Sequence, residues 1–126
     1  MAVDRTKYDV PFRAPALPYP PKEYIAQDFV DLTTTDVTTL YTAATYTTGI
    51  VKSILVSEDT GNADTLTATI TNGSTVYSLF KTKAIGANGT VELLTAPLVI
   101  QPTEILKVTA ATANRLHVVA SILEVT

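Results

Sequence analysis

Glu58, Asp59, Asn62 and Asp64 bring four oxygen-bearing side chains within seven residues, a density at which carboxylates and an amide could coordinate Ca²⁺. The twelve-residue helix-loop-helix pattern that builds such a site is missing, and Asp59 to Asp64 has the composition of a turn between two strands. The segment reads as turn chemistry, and no metal is expected there.

His117 is the single imidazole. Strand parity sets it with Arg115, Val119 and Ser121, opposite Leu116 and Val118. One histidine makes no metal site without carboxylates beside it, and no Gly-x-Ser-x-Gly or related nucleophile signature occurs, so His117 reads as structural or interfacial. Glu92, Glu104 and Glu124 stand singly on expected strands and read as solvated or interface charges, since no paired-carboxylate glycosidase site follows from their spacing. Lys81 and Lys83 share one strand face, where they read as solubility or edge-protecting charges. Gly86-Ala87-Asn88-Gly89 lacks the Lys-Ser/Thr ending and the following helix of a phosphate-binding loop. No catalytic residue, no cofactor and no metal is expected, and the chain reads as a non-enzyme.

The elements that would carry these residues fall into two unlike parts, divided near residue 28. Five of the seven prolines, at 11, 15, 18, 20 and 21, lie in the first part, and all five glycines lie in the second. Residues 1–27 show neither helical nor alternating periodicity, and their prolines remove backbone donors and fix φ near −65°, so an extended arm is expected. Disordered tails are poor in aromatics, yet five of the nine aromatic residues occur by Phe29. These side chains read as anchors. Tyr8, Phe12, Leu17, Tyr19, Tyr24 and Ile25 are the candidate partner-binding residues, and at ~3.1 Å per residue the arm could reach roughly 80 Å. The competing expectation is that the arm folds back along its own domain to close a sheet edge.

Residues 28–126 read as strands punctuated by turns: Phe29 to Thr34, Val37 to Ala43, Ile50 to Ser57, Leu66 to Thr71, Val76 to Lys83 and Thr90 to Leu94. Pro97 and Pro102 bracket Leu98 to Ile100, and Glu104 to Ala110 and Arg115 to Val125 complete about eight strands. Asn72-Gly73 between two such runs is a hairpin signal. Alternation is clearest at Leu66, Ala68 and Ile70 and at Leu116, Val118, Ala120 and Ile122. Threonine makes up 23 residues, and its β-branched hydroxyl side chain favours strands over helix interiors. Short strands at eight-to-twelve-residue spacing predict an all-β fold, an antiparallel β-sandwich of the jelly-roll or Greek-key kind.

The 126 residues amount to one domain, and the part after the arm is long enough for a modest core. A net charge of −3 offers no grip on phosphates, so nucleic acid is not an expected partner. Only 17% of residues are charged, which leaves a hydroxyl-rich surface suited to cover by neighbouring subunits. The absence of cysteine excludes disulfides and thiolate sites. Met1 to Val10 has no apolar run to act as a secretory signal, and later apolar stretches fall far short of the ~18 residues that span a bilayer, so a soluble cytosolic product without membrane partners is expected.

The arm, followed by LYTAATYTTGIVKSILVSEDTGNADTLTATITNGSTVYSLF and a terminal LHVVASILEV, resembles the small β-sandwich virion proteins of tailed bacteriophages. The likeness spans about residues 36 to 125 and lies in a rhythm: TLYTA, a GIVKSILVSEDTG strand and turn, an NGSTVYSLF hairpin and a last strand ending in Glu. It implies a structural virion protein assembled in the host bacterial cytoplasm, a capsid decoration or cement subunit whose partners are capsid or other virion proteins. It further implies a homo-oligomer, trimeric or otherwise symmetric. No functional residue is carried over, because packing rather than a reactive motif defines such proteins. A tail, collar or fibre-adaptor component is the alternative, and a carbohydrate-binding sandwich with Tyr41, Tyr46 and Tyr77 as stacking platforms is the alternative of another class.

Overall fold

The structure, a computed structural model, describes residues 22–126. The described residues form nine strands and no helix: β1 (Glu23–Leu32), β2 (Thr38–Thr42), β3 (Thr48–Glu58), β4 (Asp64–Thr71), β5 (Val76–Ile85), β6 (Thr90–Glu92), β7 (Leu98–Ile100), β8 (Ile105–Ala110) and β9 (Leu116–Val125). Two antiparallel sheets result. One has the order β1-β9-β3, with β6 and β7 end to end along the far edge of β3; the other has the order β2-β8-β4-β5.

The pairing follows a simple rule. β4 pairs with β5, β3 with β6 and β7, β2 with β8, and β1 with β9, so the chain is one long antiparallel ribbon folded at the β4–β5 turn. Winding that ribbon on itself adds the contacts β3 to β9 and β4 to β8, which close the two sheets over a common core. Asn72 fixes the fold point: its side-chain oxygen accepts from the Ser74 and Thr75 amides at 3.1 and 3.0 Å, while Gly73 takes φ of 100°. Only a residue without a Cβ adopts that φ at little cost.

Period-two alternation places the core. Leu116, Val118, Ala120 and Ile122 of β9 are buried against Leu66 and Ala68 of β4 and Leu106, Val108 and Ala110 of β8. On β3, Val51, Ile54 and Val56 all point inward although 51 and 54 differ in parity. A register shift between Val51 and Ser53 supplies the odd residue, Lys52, which stays exposed.

β1 begins at Glu23, six residues before the Phe29 expected from sequence. Glu23 to Gln27, expected as the end of the arm, are paired with Val125 to Ser121 of β9, and Lys22 and Thr126 exchange both backbone hydrogen bonds beyond them. The remainder of the expected arm lies outside the described residues, as do Tyr8, Phe12, Leu17 and Tyr19.

Candidate interaction surface

Glu58 and Asp64, two of the acids that sequence marks as chemical candidates, are occupied by backbone amides around them. Glu58 closes β3 with its side chain only 2% exposed, and its carboxylate accepts from the Thr60 amide and hydroxyl, the Asn62 amide at 2.8 Å and the Asn88 amide at 3.2 Å. Burial alone would push this carboxyl up, but the hydrogen bonds from Thr60, Asn88 and Asn62 outweigh it and bring the pKa down to about 2. Asp64 accepts from the Thr112 amide at 3.0 Å. The cluster is thus a tie between the β3–β4 and β5–β6 loops, with Asp64 holding the β8–β9 loop. No group of three metal-ligating side chains is assembled among the described residues.

Glu92 replaces a missing strand. Between β6 and β7 the edge of β3 has no strand partner; the Leu93 amide donates to the Ile54 carbonyl at 2.9 Å, and the Glu92 carboxylate accepts from the Ile54 amide at 2.8 Å, the Leu94 amide at 3.2 Å and the Ser53 hydroxyl. Burial raises its pKa, and these bonds pull it below the usual carboxylate value. Glu104 accepts from the Gln101 amide at 2.7 Å. Glu124, on β9, accepts from the Tyr41 hydroxyl at 2.8 Å. Glu92 is exposed and Glu104 and Glu124 are partly exposed, in keeping with solvated charges, and each in addition accepts hydrogen bonds from its own fold.

Tyr41 is corrected as a sugar platform. It is 5% exposed, and its ring lies over Gly49, where an added Cβ would sit 2.5 Å from the tyrosine Cε2. Burial, the bond to Glu124 and the charges of Glu124 and Asp28 all raise its pKa, so the hydroxyl stays protonated and donates. Tyr46 is 88% exposed in the β2–β3 turn and Tyr77 is exposed on β5, on separate elements.

Among the described residues, one sheet face and one sheet edge remain open. On the outward face of the five-stranded sheet, register aligns Ile25, Leu123, Ile50 and Val99 in one cross-strand row and Phe29, Val119 and Leu55 in another. Gln27, Ser121 and Ser53 separate them. Ile25 is 93% exposed and Phe29 71%. Asp31, His117 and Ser57 form the next row, with the imidazole Nε2 3.8 Å from Asp31 and 3.6 Å from Asp59. His117 therefore lies on the outward face, as its parity predicts. A second apolar recess opens between β5 and the β6–β7 loop, lined by Leu79, Phe80, Leu93, Leu94 and Pro97.

The edges differ in their protection. β5 carries Lys81 and Lys83 around an irregular register at Thr82, whose φ is 50°; β6 and β7 have three residues each; β2 has five and a register shift. All these are devices that block strand addition. β1 has ten residues, no lysine, arginine or proline, and an unbroken register with β9. Of the candidate partner-binding residues, the structure places Tyr24 and Ile25 on this strand, both exposed, with Ile25 on the outward face. Phe29, read from sequence as one of the anchoring aromatics, joins Leu55, Val119 and Leu123 on this surface, a grouping that only the strand register makes visible.

No family model and no curated protein matches the chain. Among solved structures it is similar to a pentameric capsid protein isolated from metagenomic phage sequences, seen in two crystal structures at 19% identity with TM-scores of 0.43 and 0.41. The match covers 79% of this chain and spans about 60% of the length of those capsid chains.

Proposed function

We propose that this chain is a non-enzymatic structural subunit of a tailed-phage virion, a capsid decoration or cement protein assembled in the host bacterial cytoplasm. Its leader ties it to capsid proteins or to other copies of itself. The observation that carries this reading is the long, regular edge of β1, which among the described residues has no outer strand partner, lysine, proline or bulge, bordered by exposed Ile25 and Phe29 where the sequence of the leader joins the domain. A monomer left in that state would be prone to strand addition, whereas an assembling subunit uses it.

Three further features agree. The ribbon pairing and the orders β1-β9-β3-β6 and β2-β8-β4-β5 read as an eight-stranded jelly roll with its sixth strand broken into β6 and β7, an architecture recurrent in viral capsids. The buried acids serve the fold, leaving no convergent set of reactive groups among the described residues. The sequence rhythm resembles phage virion proteins. Fold alone does not specify function, so the particle must decide.

Electron cryo-microscopy of the virion, with the subunit identified by its density, tests the reading. Density on the head lattice is expected. Density confined to the tail, collar or fibre base would reassign the subunit to those parts, and its absence from purified particles would overturn the virion role.

A further inference from the structure

Charge is divided along this chain. Arg5, Lys7, Arg13 and Lys22 against Asp4 and Asp9 leave residues 1–22 at +2, while five bases against ten acids leave residues 23–126 at −5, together the −3 of the whole. The free edge strand continues the pattern: β1 carries Glu23, Asp28 and Asp31 and no base.

The leader itself has two parts. Residues 1–10 contain no proline, whereas residues 11–21 contain five. The chain thus carries a ten-residue segment able to donate backbone hydrogen bonds and a ten-residue edge strand without an outer partner among the described residues, each ~33 Å long when extended. We propose that residues 1–10 of one copy add as a strand to the free edge of β1 in a neighbouring copy. The proposal rests on the reading of the leader as an intersubunit tie, and it names both the receptor and the occupant.

Three considerations select this occupant. Two β1 edges paired with each other would oppose strands bearing only acidic charge, whereas residues 1–10 balance Arg5 and Lys7 against Asp4 and Asp9, so a neutral strand carrying two bases would lie beside Glu23 and Asp31. A return of the leader onto its own β1 as a hairpin would require residues 10 and 23 to approach to the ~4.8 Å strand spacing. Five prolines among residues 11–21 fix φ near −65° and bias that stretch towards extended polyproline backbone, which disfavours so close a return. In polyproline geometry the eleven residues 11–21 span up to ~34 Å, while a domain of this size has a radius of gyration of ~13 Å, so the spacer reaches an adjacent subunit. Once added, the strand would also shelter Ile25 and Phe29 from water.

The test uses full-length chain. Isotopically heavy and ordinary protein are mixed, allowed to exchange, and treated with a zero-length reagent that joins lysine to carboxylates. The expected result is cross-links from Lys7 to Glu23, Asp28 or Asp31 that pair a heavy peptide with a light one. Thr6→Pro, which removes a backbone donor within the added strand, should abolish them, and Phe29→Lys, which places a gatekeeper charge at the edge, should reduce them at least tenfold. Circular dichroism of both variants checks that the fold is kept. Links only between peptides of the same isotope would show the leader on its own strand and overturn the proposal. Heavy–light links from Lys7 to acids elsewhere, such as Asp59 or Glu104, would overturn the β1 receptor while preserving the intersubunit tie. Unchanged links in Thr6→Pro would overturn strand addition.

Discussion

The Tyr41 hydroxyl donates to a Glu124 carboxylate oxygen at 2.8 Å, joining the four-stranded sheet to the five-stranded sheet across 83 positions of sequence. Gly49, directly opposite Glu124 in the β3–β9 register, makes the crossing geometrically feasible because it leaves room for the tyrosine ring. The three residues form one unit at the end of the sandwich where the chain enters β1.

Removing the hydroxyl with Tyr41→Phe should cost about 1 kcal/mol, the net worth of a side-chain hydrogen bond whose acceptor can still reach water. Gly49→Ala should cost about 1 to 3 kcal/mol, because the added methyl forces the ring out of place. The two positions are coupled, so Gly49→Ala should cost far less in a Tyr41→Ala background. Urea titration of the four proteins checks this. Equal costs in both backgrounds would show that the ring is not what the methyl meets.

Acid should loosen the loop end of the sandwich through Glu58. Its folded-state pKa of about 2 lies below the ordinary 4.5, so its contribution is fully present above pH 4.5 and is lost as pH falls toward 2. Glu92 acts in the same direction. Asp28 opposes them: burial and the Glu124 charge raise its pKa, so protonation on acidification favours the fold. Denaturation midpoints measured between pH 7 and pH 2 should fall for the native chain, and should fall less steeply for Glu58→Gln. Parallel curves would remove Glu58 as the source.

Truncation should reveal where the domain starts. A fragment of residues 22–126 keeps the whole β1–β9 ladder, whereas residues 28–126 lose the pairs from Glu23 to Gln27 with Val125 to Ser121. The longer fragment should melt cooperatively as a β-protein, and the shorter should melt lower or not fold. Thermal circular dichroism distinguishes them, and equal melts would mean that the first half of β1 adds nothing to stability.

Strands of the body were legible because water faces one side of them: Leu66, Ala68 and Ile70, and Leu116 to Ile122, alternate cleanly, and Asn72-Gly73 marks its hairpin. The start of β1 was not, since Tyr24, Ile25 and Ala26 are consecutive apolar residues behind two prolines and show no period. The roles of Glu58, Glu92 and Glu124 were hidden for another reason. Ser53 lies 39 residues from Glu92 and Tyr41 lies 83 from Glu124, so only the register of the folded sheets brings donor to acceptor. His117 meets Asp31 by the same cross-strand register.

The most direct measurement of the central claim is occupancy of shells that lack this protein, after incubation with full-length chain, with a chain lacking residues 1–21, and with Phe12→Ala/Tyr19→Ala. Truncating an aromatic anchor at an interface costs about 2 kcal/mol, so the double variant should bind about a thousandfold more weakly. The account predicts full occupancy by the native chain, loss of binding by the other two, and unchanged cooperative melts for all three. Undiminished occupancy by the chain lacking residues 1–21 would contradict it and move the binding surface onto the sandwich itself.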